Sequence, residues 1–304
     1  MSLLPIKARI RKHQSGQALL LVLLSMAVVL TVVLSVLSRT ITDITVTTKE
    51  EEALRAFAAA EAGIERALIV GSNTGEFGDS ASFTATISNF GQLQSEYVYP
   101  EKLLSGETVI IWFVDHDEDD GMLTCNTGEC FTGSSIKICW GESGTASDSN
   151  FTPAIETSIF YANTPADYST IRIARDTRDP NATRRSSNSF QEDETGIACV
   201  IDGKEFAFQK FLNFGTDLGI PAGSYDTPNG LQFAKIRILY NTDIAHTIGV
   251  DVSDTGNDLP SQGVRIESAG SSGEANRRIE VFQTFGELPP IFDAVLFSPG
   301  GIIK

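Results

Sequence analysis

The residues best able to do chemistry form one acidic run, Asp115-His116-Asp117-Glu118-Asp119-Asp120-Gly121. Carboxylates at alternate positions, here Asp115, Asp117 and Asp119 with Asp120 and a glycine beside them, can fold oxygens around a hard cation such as Ca²⁺. The EF-hand pattern is not met, because Asp120 stands where that loop needs its glycine and Asn126 where it needs a glutamate. An acidic turn held in water is the alternative reading. Four cysteines follow or lie beyond this run: Cys125, Cys130, Cys139 and Cys199. They allow three disulfide pairings, of which Cys125–Cys130 with Cys139–Cys199 is preferred because the first pair closes a short loop. Free thiols and a zinc site are the alternatives, although the spacing does not match a paired CxxC ribbon.

Enzyme signatures are absent from the sequence. Only His13, His116 and His246 could serve as histidine acid–base groups, and no HExxH, GxSxG, P-loop or GxGxxG occurs. His246 reads as a strand-end residue. No catalytic residue is assigned, no cofactor is required, and Ca²⁺ is the one candidate ligand. The formal charge is −16. Such an acidic surface argues against general nucleic-acid affinity, with Arg184-Arg185 and Arg277-Arg278 read as solvated pairs. Asn150-Phe151-Thr152 and Asn181-Ala182-Thr183 match the N-glycosylation sequon.

One stretch organises the elements that must carry these residues. Ala18 to Leu37 contains no charged side chain. Its twenty residues span about 30 Å as a helix, the thickness of a bilayer's hydrocarbon core. Lys7, Arg9, Arg11 and Lys12 precede it without one acid, which places the N-terminus in the cytoplasm and exports the remainder. A conventional secretory signal would have a shorter apolar region followed by a small-residue cleavage site. An uncleaved signal anchor is the alternative. Residues 40–70 continue the helix in amphipathic form. Leu54, Phe57, Ile64 and Leu68 recur at helical spacing as an apolar face, and Gly71 and Gly75 mark its end.

Residues 71–304 read as a β-rich antiparallel head, so the fold class is α+β. Strands are expected at Ser82–Ser88 and Thr108–Val114, and in the alternating stretches around Ile138, Ile236 and Val264. A hairpin is expected over 263–285, with Ala269–Asn276 as its loop. Phe292–Phe297 is a further edge-strand candidate. Gly141–Asn150 and Arg175–Gly196 read as polar loops, and a boundary between two subdomains is expected near 175–200.

Two motifs carry a family resemblance. The basic leader, residues 1–16, ends in Ser15-Gly16, and the apolar run Gln17-Ala18-Leu19-Leu20 begins directly after it. Further on stands Ala59-Ala60-Glu61-Ala62-Gly63-Ile64-Glu65. Together these resemble PilX-like type IV pilus-associated proteins, minor members of the pilin and pseudopilin superfamily. The resemblance covers the first seventy residues. It implies cleavage by a prepilin peptidase between Gly16 and Gln17, methylation of the new N-terminus, and retention of residues 17–70 as one helix. Residues such as Ala18, Leu21, Leu24, Val28 and Leu34 would then pack against the helices of major and minor pilins. Leu21 departs from the glutamate usual at the fifth mature position, which implies a minor subunit. Some minor pseudopilins bind calcium, which favours the cation reading of Asp115–Asp120. The implied function is a structural subunit that helps assemble or decorate a type IV pilus or related filament. Its head would be extracytoplasmic and then at the cell surface. The rival is a signal-anchored adhesin or binding protein that never enters a filament.

Overall fold

No proline falls between Pro5 and Pro100, and the computed structural model carries one unbroken helix, α1 (Ser15–Val70, 56 residues). The structure describes residues 15–117, 121–125, 130–194 and 199–286. At 1.5 Å per residue α1 is about 84 Å long. It stops at Gly71, which takes the left-handed conformation (φ 79°) and donates its N–H to the Ala67 carbonyl at 2.9 Å.

A long antiparallel β region follows. Its first strands are β1 (Asn73–Phe77), β2 (Ala81–Phe90), β3 (Glu96–Val98) and β4 (Thr108–Trp112). A short ribbon comes next, made of β5 (Asp115–His116) and β6 (Leu123–Thr124). Then come β7 (Ser135–Glu142), β8 (Ala154–Ala162) and β9 (Ile171–Arg178), and the short helix α2 (Ala182–Asn188). Strands β10 (Cys199–Ile201) and β11 (Lys204–Asn213) lead to a single helical turn, α3 (Ala222–Tyr225). The last strands are β12 (Leu231–Leu239), β13 (Ile248–Asp251), β14 (Gly263–Ser272) and β15 (Ala275–Thr284).

The chain divides into two compact units, Met1–Ala85 with Ser268–Ile279, and Thr86–Glu267 with Glu280–Lys304. The first contains α1, β1, the start of β2 and the tip of the β14–β15 hairpin. Its buried surface on the helix is mostly small, Ala56, Ala59, Ala60, Gly63 and Ala67 with Ile64 beside them, and on β2 it includes Ala81, Phe83 and Ala85.

In the second unit two sheets share a core. One has the order β10-β11-β7-β13-β3 and the other β4-β12-β8-β9. All pairings within them are antiparallel. Ile136, Ile138 and Trp140 of β7 meet Val109 and Ile111 of β4 and Ile236 and Ile238 of β12 in one cluster. This is the layer logic of a sheet-on-sheet domain, with alternate side chains from each strand turned inward. Trp140 is fully buried, and its indole N–H donates to the Pro153 carbonyl at 2.9 Å.

Two sequence expectations change. The hairpin over 263–285 forms, but Ala269–Ser272 belongs to strand β14 and the turn is confined to Gly273-Glu274. The small residues there serve close packing rather than a loop. Arg175–Gly196 is not an extended polar loop, since Arg175–Arg178 completes β9 and α2 follows. That stretch is built into the second unit. The Phe292–Phe297 strand candidate lies outside the described residues.

Candidate functional site

The first half of α1 is the most unusual surface of the chain. Its most apolar window has a mean hydropathy of 3.0, and none of that window is buried. Leu21, Leu24, Val28 and Leu34 are 67, 61, 56 and 56% exposed, and Ala18 is exposed too. By length and composition this helix can cross a membrane. Its polar side chains suit that setting. Within the apolar span the hydroxyls of Ser25 and Thr31 donate to carbonyls three residues back, and beyond it those of Thr40, Thr42, Thr45, Thr47 and Thr48 donate to carbonyls four residues back. Each is satisfied without water, which matters where an unpaired polar group is costly. Gly16 and Gln17 lie inside the helix by their backbone.

The second half of α1 is gripped by its own unit, though not by the expected face. Leu54, Phe57 and Leu68 are 69, 44 and 55% exposed, and only Ile64 of the four predicted contacts is buried. The buried stripe is instead Ala56, Ala59, Ala60, Gly63 and Ala67. A β-carbon on Gly63 would collide with the Ser268 hydroxyl and lie 2.9 Å from the Phe83 ring. One on Gly270 would collide with the Ala56 carbonyl and lie 2.6 Å from the Ala60 nitrogen. The signature Ala59-Ala60-Glu61-Ala62-Gly63 thus has a structural meaning. Its alanines and glycine let strand β14 approach the helix backbone, while Glu61 stays in solvent.

The acidic run opens as the β5–β6 ribbon, with Asp115 opposite Thr124 and His116 opposite Leu123. The Asp117 N–H donates to the Met122 carbonyl at 2.8 Å, and the Gly121 N–H to the Asp117 carbonyl at 2.9 Å. Asp119 and Asp120 lie outside the described residues. Among the described residues no three His, Cys, Asp or Glu side chains converge as a metal site would need. His116 is held by rings instead. It stacks on Phe285 at 3.7 Å and meets Trp112 edge-on at 4.4 Å. Burial lowers its pKa to about 4, so the ring is neutral near pH 7.

Disulfides join Cys125 to Cys130 and Cys139 to Cys199, with Cα separations of 5.4 and 6.2 Å. The second links β7 to β10, the two strands that flank β11. His246 is 3% exposed, and its Nδ1 accepts the Glu142 backbone N–H at 3.0 Å.

Most of the polar density in 175–194 is structural. Arg184 reaches both Asp179 oxygens, at 2.6 and 2.7 Å, and lies over the Tyr240 ring at 3.9 Å. Arg178 grips both oxygens of Asp176 at 2.7 and 2.8 Å. Burial works to raise the Asp179 carboxyl, but hydrogen bonds from Arg184, Asn181 and Asn188 outweigh it and hold the group below its usual range. Asp193 goes the other way. It is 6% exposed, its Oδ1 has no hydrogen-bond partner among the described residues, and burial raises its pKa. Arg185 donates to the Asp179 and Pro180 carbonyls at 2.8 and 3.1 Å and pairs with Glu192 at 2.8 Å, so Arg184 and Arg185 are not a solvated pair. The sequon asparagine Asn181 is also buried, caps α2, and donates its side-chain amide to the Ser149 carbonyl at 2.9 Å. Asn150 is exposed.

No family model, no curated protein and no solved structure matches this chain.

Proposed function

We propose that this chain is a minor, pilin-like structural subunit, exported on its N-terminal helix, that helps assemble or decorate a type IV pilus or related filament. One observation carries the reading: a 56-residue helix whose apolar half has no cover among the described residues and whose other half is fixed to a folded β unit by a small-residue stripe. A free rod of that kind needs lipid first and the apolar flanks of similar helices afterwards. Prepilin peptidase would release it by cutting between Gly16 and Gln17, after which Ala18, Leu21, Leu24, Val28 and Leu34 would line the filament core. Leu21 offers no carboxylate to a neighbouring N-terminal amine, which supports a minor role rather than that of the bulk subunit. The reading needs neither catalysis nor a cofactor. Calcium at Asp115–Asp120 would be an accessory to it, and nucleic acid is not among its partners.

Quantitative mass spectrometry of filaments sheared from the cell surface tests this. The expected result is this chain present well below the amount of the most abundant pilin. Absence from filaments overturns the assembly role, and near-equal abundance overturns the minor one.

A further inference from the structure

A second surface lies wholly within the Thr86–Glu267 and Glu280–Lys304 unit. The turn after β2, the edge strand β3, Asp202, Arg265 of β14 and Phe282 of β15 enclose a cleft of about 340 Å³. That is large enough for one or two sugar rings, and within the size range of small-molecule sites. Its walls are fixed. The Leu93 N–H donates to the Leu259 carbonyl, the Leu259 N–H to the Gln94 carbonyl, and the Gln262 N–H to the Phe90 carbonyl, each at 2.9 Å. Gly91 sits at φ 69°, and a β-carbon there would lie 2.7 Å from the Gln262 side chain, so only glycine lets the turn lie this close. A pinned wall loses little freedom when a ligand arrives.

The lining is chemically selective. Phe90 and Phe282 meet edge to face at 5.3 Å, and Phe282 remains 37% exposed. Beside these rings stand the amides of Asn89 and Gln94 and the carboxylates of Glu96 and Asp202. Glu96 fixes the Asp202 backbone N–H at 2.7 Å through one oxygen, and Gln94 is exposed. Arg265, the one cation among the described lining residues, already faces Glu280 at 3.4 Å. Phosphate and nucleic acid would meet net negative charge here, and a lipid chain would meet a mostly polar wall. A neutral polyol satisfies both halves of the surface. Its hydroxyls donate to the carboxylates and accept from the amides, while the C–H face of the ring lies on an aromatic side chain. We infer that this cleft binds a neutral saccharide, one ring stacking on Phe282 with its hydroxyls held by Gln94, Glu96 and Asp202. The inference is independent of the filament reading, because it concerns binding by the isolated chain.

The test uses the full chain in lauryldimethylamine oxide micelles, which contain no sugar headgroup. Biolayer interferometry with polyacrylamide-linked glucose, galactose, mannose and N-acetylglucosamine supplies the probes. Multivalent display raises weak single-site affinity into a measurable range. Saturable binding of at least one conjugate is expected. Phe282→Ala or Gln94→Ala should weaken it by about fivefold each, while Tyr168→Ala, an exposed aromatic outside the cleft, leaves it unchanged. Gln94 is exposed, so its variant tests the cleft even if Phe282→Ala unfolds. Failure of all four conjugates to bind overturns the inference. So does binding that is indifferent to both cleft variants, or binding of sugar-free denatured casein in their place, which would mark a peptide groove along β3.

Discussion

Gly270 of β14 lies against Ala56 of α1 so closely that a single added methyl group would overlap the Ala56 carbonyl oxygen. Helix and strand therefore touch backbone to backbone, and the small residues on both sides are what permits it. The amphipathic reading of 40–70 expected the large apolar residues to face inward. Contact distance reversed the choice, because Leu54, Phe57 and Leu68 would hold the strand away.

Filling that contact should loosen the grip without affecting the free half of the helix. Gly270→Val or Gly63→Leu is expected to destabilise the first unit by about 1–3 kcal/mol, the usual cost of overpacking. Leu68→Ala, 55% exposed, should stay within about 0.5 kcal/mol. Thermal denaturation in micelles compares them. Equal effects from the interior and exposed variants would refute the packing assignment.

The Asp179–Arg184 pair gives a second expectation. The Asp179 side chain has no exposed surface, and Arg184 is 14% exposed. Arg184→Ala leaves a buried carboxylate without its main partner and should cost about 3–5 kcal/mol. Since the folded pKa of Asp179 is depressed, its contribution is complete above the unfolded value near pH 4 and is lost as pH falls through the folded value. Denaturant melts of the unmodified protein and of the Arg184→Ala variant, compared from about pH 7 down to about pH 2, should show the difference between them shrinking in acid; a difference that stays constant across that range would contradict the pairing.

Asp193 should show the opposite sign. Its folded pKa is raised, so the protonated form suits the folded state and stability falls as pH rises through that value. Asp193→Asn is expected to stabilise the protein at pH 7 and to lose the advantage in acid. An advantage that persists at pH 3 would show that charge is not the cause.

His116 offers a titration readable by NMR. With its pKa lowered to about 4 by burial, the ring stays neutral while a free histidine would protonate near 6.5. Its stabilising share is complete above pH 6.5 and is lost as pH falls toward about 4. Replacing Phe285 with alanine exposes the ring and should return the titration midpoint toward 6.5. A midpoint already near 6.5 in the unmodified protein contradicts the packing around this ring.

The two disulfides should contribute unequally. Cys139–Cys199 spans 60 residues and Cys125–Cys130 spans 5. Loop-closure entropy assigns roughly 4 kcal/mol to the long loop and 2 to the short one. Serine pairs at each bridge, compared by denaturant midpoints, should fall in that order.

How much of this was legible in the sequence differs by element. Ala18–Leu37 announced a membrane-length helix because uniform apolarity needs no partner to be recognised. The alternating strands at Ile136–Trp140 and Ala234–Ile238 were readable from their period of two. Strand β14 was misread at Ala269–Ser272, since Gly and Ser mark a loop and a close backbone contact in the same letters. The ionic cluster at 176–194 looked like solvated loop, because its pairs Asp176–Arg178 and Asp179–Arg184 are local, while what covers them, such as the Tyr240 ring over Arg184, comes from far along the chain. The same separation hid the cleft, whose Gln94, Asp202, Arg265 and Phe282 come from four distant segments.

The central claim is that α1 is a retained rod that leaves lipid for a bundle of similar helices. Intact-mass analysis of the chain recovered from sheared surface filaments addresses it most directly. The account predicts a mature chain that begins at Gln17, carries a methyl group there, and keeps all of residues 17–70. A chain that begins at Met1, or one trimmed beyond Leu37, would contradict it.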